Sequence, residues 1–316
     1  ACRVMVVNVF DATGFSTEAD AVNGVLYAID NGARVVNASW GSGGYSPLQQ
    51  DMAAHARDSG VLIVAAAGNY NFDSDTNPFY PAAHPLEAVL AVGGSTRTDG
   101  WIYNYGASSV GITAPAFDVY IPVQGGGYGF ARGTSFASPL TAGVACLLLA
   151  RDATLTPLQM KHRIMAGADR PPSLAERNRV SGRLNAHGAL AITDSTPPAA
   201  VTDLAATRIG TNGAEFQFTA PGDDGNAGAA TFYEVRVTTG ALDASNFGGL
   251  PDTDIHISPA PAGTTQRFFL NALDPGLVYR AAIRALDEAG NASPVSNVVA
   301  FGTAVPPVVA FSDACD

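Results

Sequence analysis

Apolar runs alternate with helical patterns along residues 1–192, and this alternation constrains the fold more than any other feature. The runs that read as buried strands are RVMVVNVF (3–10), ARVVNAS (33–39), VLIVAAA (61–67) and AVLAVGG (88–94). Between and after them the spacing predicts helices near 17–31, near 47–59, after Ser135 and from about Thr156. Strands that alternate with helices in this way predict an α/β domain with a mainly parallel sheet flanked by helices.

The pattern of apolar and polar residues changes after the prolines at 197 and 198. Short alternating segments follow, separated by Gly, Pro, Asp and Asn clusters: AEFQFTA (214–220), YEVRVTT (233–239) and YRAAIRAL (279–286). This pattern predicts a small all-β sandwich over 196–303, with Tyr279 placed like a tyrosine corner, and an irregular tail over 304–316.

Composition excludes several classes of partner. The net charge of −11 argues against nucleic acid and against an anionic membrane surface. The most apolar stretch, VACLLLA (144–150), is far too short to span a membrane.

The three cysteines are too few for a disulfide framework. Cys146 is expected to be a small buried residue, whereas Cys2 and Cys315 could pair in an oxidising compartment, which the sequence leaves open.

The segment GTSFASP (133–139) has the composition of a nucleophile at the start of a helix. Gly133 permits a sharp turn before Ser135, and the small residues that follow let a peptide backbone approach. Pro139 has no N–H, so the carbonyl of Ser135 loses its helical partner. The unpaired N–H groups of a helix start suit a developing oxyanion. The simpler interpretation is that a serine or threonine here only caps the helix.

Two further segments end predicted strands and carry polar or small residues. Asn69 follows the buried run 61–67, and its amide could donate to an oxyanion, although asparagine after glycine is also common in plain turns. Residues 39–41 lie at the end of another predicted strand and could pair with an extended peptide. An ordinary packing role is an equal alternative for Trp40.

Taken in order, VVNASWG, AAAGN, GTSFASPLTAGVACLL and SGRLNAHGAL closely resemble the subtilisin-like serine peptidases (subtilases). The resemblance implies that Ser135 is the acyl-forming nucleophile and that Asn69 and the Ser135 N–H form the oxyanion hole. It implies a secreted enzyme that cleaves protein or peptide substrates without a catalytic metal, with structural calcium possible but no assignable ligands. The implied substrate-binding residues are Ser39, Trp40, Gly41, Ala65, Ala66, Ala67, Gly68, Gly133 and Thr134.

The catalytic histidine and aspartate that subtilases carry before this serine have no counterpart here. Residues 1–54 contain no histidine, and the family's histidine motif is absent. The histidines that remain are expected to be structural, with His84 in a surface turn: His55, His84, His162, His187 and His256. We therefore expect the base and its aspartate to be encoded upstream, the chain alone to be nearly inactive, and part of its apolar sheet surface to be uncovered.

The second half resembles a fibronectin type III module over 196–303, which implies an accessory role such as attachment to a surface, polymer or protein substrate. Its loop PGDDGNAG (221–228) could hold calcium, but a solvated turn is favoured. A noncatalytic peptide-binding or adhesive protein remains the alternative function. A serine esterase is disfavoured because no G-x-S-x-G segment surrounds Ser135.

Overall fold

A computed structural model describes residues 2–84, 86, 88–250, 253, 255 and 257–306. The described chain forms two compact units. The first comprises residues up to 195 together with 288–290, and the second comprises the remainder from 196 onward.

The first unit is built on one mainly parallel sheet. Its helices are α1 (Glu18–Asp30), α2 (Pro47–Asp58), α3 (Thr134–Arg151), α4 (Pro157–Ala166) and α5 (Ala186–Ala191). Its strands are β1 (Val35–Ala38), β2 (Leu62–Ala66), β3 (Val89–Ser95), β4 (Trp101–Ile102), β5 (Ile112–Pro115), β6 (Val119–Pro122) and β7 (Tyr128–Ala131). The strands β1, β2, β3 and β5 are parallel, whereas β4 pairs antiparallel with β3 and β6–β7 form a separate hairpin. The predicted α/β fold is confirmed.

Helices cover both faces of this sheet. Ile63 and Ala65 of β2 belong to a buried cluster with apolar residues of α1 and α2. Neighbouring positions on a strand point to opposite faces, so Leu62, Val64 and Ala66 face the other way, and all five residues of β2 are buried. The long helix α3 packs against β1, β2, β3 and β5, with eight of its residues buried. By length and composition α3 resembles a membrane span, but its packing is that of a core helix.

The prediction of a strand at 3–10 is wrong. The described residues include no strand there, and the side chains of Val4 and Val6 are 86% and 87% exposed. A strand requires a partner for its backbone hydrogen bonds, and nothing in the described part of the chain pairs with this one. Leu140 and Leu147 on the outer side of α3 are also exposed. The exposed apolar side chains named here lie on the segment 2–10 and on α3, whereas every residue of β2 and β3 is buried. An uncovered surface on the sheet itself stays a prediction.

Cys146 is half-buried on α3. Cys315, the partner that the sequence analysis considered for Cys2, lies outside the described residues, so this pairing stays a prediction.

Over its described residues the second unit contains six strands: β8 (Ala205–Ile209), β9 (Ala214–Thr219), β10 (Phe232–Thr238), β11 (Thr265–Leu270), β12 (Val278–Leu286) and β13 (Val299–Gly302). They form two antiparallel sheets, ordered β11-β9-β8 and β10-β12-β13. Both sheets contribute to one core, in which the ring of Phe216 stacks on Phe268 and meets Phe301 edge-on. The hydroxyl of Tyr279 accepts a hydrogen bond from the Asp274 N–H at 2.9 Å, as a tyrosine corner requires.

The loop at 221–228 closes on itself through backbone hydrogen bonds. The N–H of Gly222 donates to the carbonyl of Gly225, and the N–H of Asp223 donates to the carbonyl of Ala227. These bonds describe a tight turn, and the calcium role of the loop stays a prediction.

His84 is buried and not, as predicted, in a surface turn. Its side chain packs against the rings of Tyr80 and Tyr45, with ring centroids 4.7 and 6.0 Å away, and the residue is 3% exposed. Neither ring nitrogen has a hydrogen-bond partner among the described residues. Burial disfavours the charged imidazolium and lowers the pKa of His84 from 6.5 to about 4.

This burial predicts a loss of stability in mild acid. Between pH 6.5 and about pH 4 the unfolded chain binds a proton at His84 that the folded chain does not, so the free energy of unfolding falls as the pH drops through this window. A depression of this size corresponds to about 3 kcal/mol. Urea unfolding measured across the window should show a shallower pH dependence in His84→Phe than in the parent protein.

His55→Gln, at an exposed histidine, is the matched control for the loss of an imidazole. Equal slopes for His84→Phe and the parent would mean that His84 does not set this acid sensitivity.

Candidate functional site

The candidate site lies where two parallel strands end and α3 begins. Ser39 directly follows β1, Asn69 comes three residues after β2, and Ser135 is the second residue of α3. The carboxyl ends of parallel strands lie at one edge of a sheet, which is the usual position for ligand sites in open α/β folds. The fold thus brings together three of the residues that the sequence analysis singled out.

Two reciprocal hydrogen bonds join Ser135 to Ser39. The Ser135 hydroxyl donates to the carbonyl of Ser39 at 3.1 Å. The Ser39 hydroxyl donates to the carbonyl of Ser135 at 2.8 Å. Pro139 cannot donate to that carbonyl from within the helix, so the Ser39 hydroxyl replaces the missing helical donor. The end of β1 therefore holds both the side chain and the backbone of Ser135.

Further polar contacts fix Ser39 and the first turns of α3. The Asn37 amide donates to the Ser39 hydroxyl at 3.0 Å. The hydroxyl of the buried Ser138 lies 2.7 Å from the Asn37 side-chain oxygen and 2.9 Å from the carbonyl of Val64. Ser138 therefore connects β1, β2 and α3. In the sequence Ser138 is recognisable only as a small residue, because its neighbours along the chain carry no signal for its distant partners.

Asn69 is held against the first residue of α3. Its side-chain oxygen accepts from the N–H of Thr134 at 2.8 Å and lies 3.0 Å from the Thr134 hydroxyl. That hydroxyl also accepts from the N–H of Gly68 at 3.2 Å. A Cβ on Gly133, whose φ is +133°, would lie 3.3 Å from the Asn69 amide nitrogen. The oxygen of the Asn69 side chain is therefore bonded to Thr134, and its amide nitrogen lies near Gly133, two residues before Ser135.

A buried asparagine outside the predicted site positions the loop that carries Asn69. Asn104 is 2% exposed, and its amide donates to the carbonyl of Ala67 at 2.9 Å. Its side-chain oxygen accepts from the N–H of Tyr70 at 2.8 Å. A Cβ on Gly68, which has a φ of +103°, would lie only 2.6 Å from the Asn104 amide nitrogen. No sequence signal pointed to Asn104, which lies 35 residues beyond Asn69 in a turn-rich segment.

The structure places the remaining predicted binding residues behind the surface. Ala65, Ala66 and Ala67 are at most 2% exposed, and Gly68 is also buried. Trp40 packs against the core under α1 and α2, which agrees with its interpretation as a packing residue. A substrate-binding role for the segment 65–68 stays a prediction. In that role the buried segment would support Asn69 from behind and would not touch the substrate through exposed side chains.

The backbone next to Gly41 already has a partner within the chain. A Cβ on Gly41 would lie 2.4 Å from the carbonyl oxygen of Tyr80. The N–H of Ser42 donates to that carbonyl at 2.9 Å, and the N–H of Tyr80 donates to the carbonyl of Ser42 at 2.7 Å. An extended peptide could therefore pair only with the part of this segment before Ser42.

None of the described histidines accepts the Ser135 proton. His55 faces Asp30 at 3.7 Å, His84 lies between tyrosine rings, His162 is buried on α4, and His187 is exposed on α5. His256 lies outside the described residues. Among the described residues the hydroxyl of Ser135 donates to a backbone carbonyl, which cannot act as a general base. In the part of the chain that the structure describes, the site has a positioned hydroxyl and an amide but no proton acceptor.

The comparisons with known proteins agree on one family. The family model described as "Subtilase family" matches residues 1–205. "Thermophilic serine proteinase" from Bacillus sp. (strain AK1) is 35% identical over 148 residues, which is 46% of this chain and 35% of that protein. "Subtilisin E" from Bacillus subtilis (strain 168) is 34% identical over 164 residues, which is 51% of this chain and 42% of that protein.

Solved structures show the same relationship. A cold adapted subtilisin-like serine proteinase matches with a TM-score of 0.52 at 32% identity, covering 59% of this chain and 66% of that one. The prenylagaramide maturation protease PagA matches with a TM-score of 0.51 at 29% identity, covering 58% of this chain and 70% of that one. The chain spans less than half the length of both relatives above, the thermophilic proteinase and subtilisin E.

The contacts around Pro139 predict a coupled pair of substitutions. Ser39→Ala should lower the free energy of unfolding by about 1 kcal/mol, because it leaves the half-buried Ser135 carbonyl without its donor. Pro139→Ala restores a helical N–H at that carbonyl, so Ser39→Ala should cost less in the Pro139→Ala background. Urea unfolding of the two single variants and the double variant measures this coupling.

Ser42→Ala is the control, because it removes the hydroxyl of an exposed serine near Ser39 that does not bond to the Ser135 carbonyl. An equal cost of Ser39→Ala with and without Pro139 would show that the Ser39 hydroxyl does not replace the helical donor.

Proposed function

The chain belongs to the subtilase family of serine peptidases, and from this premise we propose that it carries the nucleophile and oxyanion half of an endopeptidase site. Ser135 is the nucleophile that attacks the carbonyl carbon of a peptide bond and forms an acyl-enzyme. The observation that carries the proposal is the position of Ser135 at the start of α3, beside an Asn69 amide whose oxygen is already bonded to Thr134.

The oxyanion role of Asn69 rests on which of its atoms are occupied. Thr134 takes the side-chain oxygen, so the amide N–H groups remain as donors. The N–H of Ser135 lies in the first turn of α3, where a helix supplies no acceptor. Together these donors would stabilise the negative charge that develops on the substrate oxygen, and one such donor is worth about 3 kcal/mol in the transition state.

The base that completes this half-site lies, in this proposal, outside the 316 residues. The hydroxyl of Ser135 must exchange its bond to the Ser39 carbonyl for a bond to a histidine before it can attack. We place that histidine and its aspartate in an upstream segment of the same gene product. Without them, only the roughly 10³–10⁴-fold acceleration from the oxyanion hole and binding remains, so the chain by itself is nearly inactive.

The substrate in this proposal is an extended protein or peptide chain, and the enzyme is secreted. Residues 39–41 lie beside Ser135 and offer backbone groups to the acyl side of the substrate. The second unit would serve as a fibronectin-like accessory domain, which holds the enzyme at a surface, polymer or protein substrate. Its two antiparallel sheets, its shared core and the Tyr279 hydrogen bond support the fibronectin-like fold, and the attachment role rests on that resemblance.

A noncatalytic peptide-binding or adhesive function is the second candidate. The observation that favours it is the bond of the Ser135 hydroxyl to a backbone carbonyl, with no base beside it among the described residues. A binding protein needs the cleft but not a proton acceptor.

An active-site-directed fluorophosphonate separates the two functions, because it reacts only with an activated serine. We expect rapid labelling of Ser135 in the full-length gene product and labelling of the 316-residue chain that is slower by about 10³-fold or more. Peptide mapping identifies the labelled residue, and Ser135→Ala in the full-length product is the control. If the folded full-length product also stays unlabelled, the chain is a binding protein and the endopeptidase proposal is wrong.

Two substitutions of Asn69 separate its structural role from its proposed oxyanion role. Asn69→Asp retains an oxygen for the Thr134 N–H but removes the amide donor, whereas Asn69→Ala removes both. In the full-length product both variants should label about 10²–10³-fold more slowly than the parent. Only Asn69→Ala should also lower the urea midpoint. Normal labelling of Asn69→Asp would exclude the amide as an oxyanion donor.

A further inference from the structure

The ring of Phe79 lies against both of the strand-end segments at the candidate site. A Cβ added to Gly41 would lie 2.5 Å from one carbon of this ring, and a Cβ added to Gly68 would lie 3.2 Å from another. One ring therefore occupies the space in front of both glycines. We propose that Phe79 determines the substrate preference of the site, because its ring fills the place of the side chain just before the cleaved bond. This proposal rests on the endopeptidase function proposed above.

The path of the substrate follows from the groups that would bind its backbone. The carbonyl that Ser135 attacks must come within hydrogen-bonding distance of the Asn69 amide, just after the end of β2. The acyl side of the substrate then extends along residues 39–41, just after the end of the neighbouring strand β1. In this placement the side chain next to the attacked carbonyl points between the segments 39–41 and 65–68. The Phe79 ring lies in that space.

The backbone around Phe79 is held from both sides. The N–H of the next residue, Tyr80, donates to the carbonyl of Ser42 at 2.7 Å, and the Ser42 N–H donates back at 2.9 Å. The carbonyl of Phe79 accepts from the N–H of Ala83 at 2.9 Å. The ring itself is half-buried, and its centroid is 6.0 Å from that of Tyr70. A substrate side chain can therefore reach the ring, but the backbone that carries the ring is fixed.

The ring changes which side chains the site accepts. The segment 65–68 consists of alanine and glycine, and such small residues by themselves leave room for a large apolar side chain. The Phe79 ring takes up this room, so a second aromatic ring meets an occupied space. The aromatic rings of Phe79 and Tyr70 present an apolar surface at this place. The site therefore prefers a small apolar residue such as alanine before the cleaved bond, and it disfavours phenylalanine.

Two peptide substrates that differ in one residue test this preference in the full-length gene product. The substrates are the p-nitroanilides of Ala-Ala-Ala-Ala and Ala-Ala-Ala-Phe, and the measurement is the ratio of their kcat/KM values. The parent should prefer the alanine substrate by about 10-fold or more, because one methylene in a discriminating pocket already changes kcat/KM by about 10–200-fold. Phe79→Ala should raise kcat/KM for the phenylalanine substrate by about 10-fold or more, with little change for the alanine substrate.

Two further variants separate the position of the ring from its contribution to stability. Phe72→Ala is the matched control, because it removes an exposed aromatic ring that stacks on Tyr70 with a centroid distance of 5.7 Å. This variant should keep the parent's ratio. Phe79→Leu retains an apolar side chain but removes the ring, so it should give a ratio between those of the parent and Phe79→Ala. It also provides the test if Phe79→Ala does not fold.

Fluorophosphonate labelling of Ser135 in the same samples distinguishes the two ways in which this proposal can fail. If Ser135 is labelled rapidly but both Phe79 variants keep the parent's ratio, the role of Phe79 is wrong and the endopeptidase function stands. A change in Phe72→Ala equal to that in Phe79→Ala would also overturn the role of Phe79, because loosening of the loop would then explain the result. If the folded full-length product is not labelled at all, both proposals are wrong.

Discussion

The carbonyl oxygen of Ser135 is the group on which the site geometry depends. Pro139 removes the helical donor for this oxygen, and an unpaired carbonyl in a half-buried position is unfavourable. The Ser39 hydroxyl at the end of β1 supplies the replacement, and the Ser135 hydroxyl bonds back to the Ser39 carbonyl. The donor that α3 lacks is thus supplied by the residue that follows β1. This hydrogen bond fixes where the helix begins relative to β1.

The end of β2 is joined to the same helix by a second set of contacts. Asn69 caps the N–H of Thr134, the Thr134 hydroxyl accepts from Gly68, and Asn104 holds the backbone around both. These contacts use the side-chain oxygen of Asn69, whereas the chemistry that we propose uses its amide nitrogen. The same hydrogen bonds therefore order the loop and fix the orientation of the amide that we propose as an oxyanion donor.

The first unit combines a well-packed sheet with exposed apolar side chains elsewhere. Residues of β2 are buried on both faces, whereas the segment 2–10 and the outer side of α3 expose valine and leucine side chains. The second unit has its own core of stacked aromatic rings between two antiparallel sheets.

The sequence alone determined the α/β class of the first unit, its helices α1 to α4, its strands β1 to β3, and the family. Periodicity placed α1 and α2 almost to the residue, because an apolar stripe of a given period and a capping residue such as Thr17 are local properties of the chain. Local pattern also marked Ser135 and Asn69, because glycine turns and a strand end leave signatures over a few residues. It failed at 3–10, where apolar alternation predicts a strand but no neighbour pairs with it.

Only the tertiary structure decided how the polar groups meet. The partners of Ser135, Ser138 and Asn104 lie between 34 and 101 positions away in the sequence. Hydrogen bonds over such separations depend on the packing of β1, β2 and α3, which no local pattern encodes. The burial of His84 against Tyr45 was decided in the same way, because it arises where distant parts of the chain pack together.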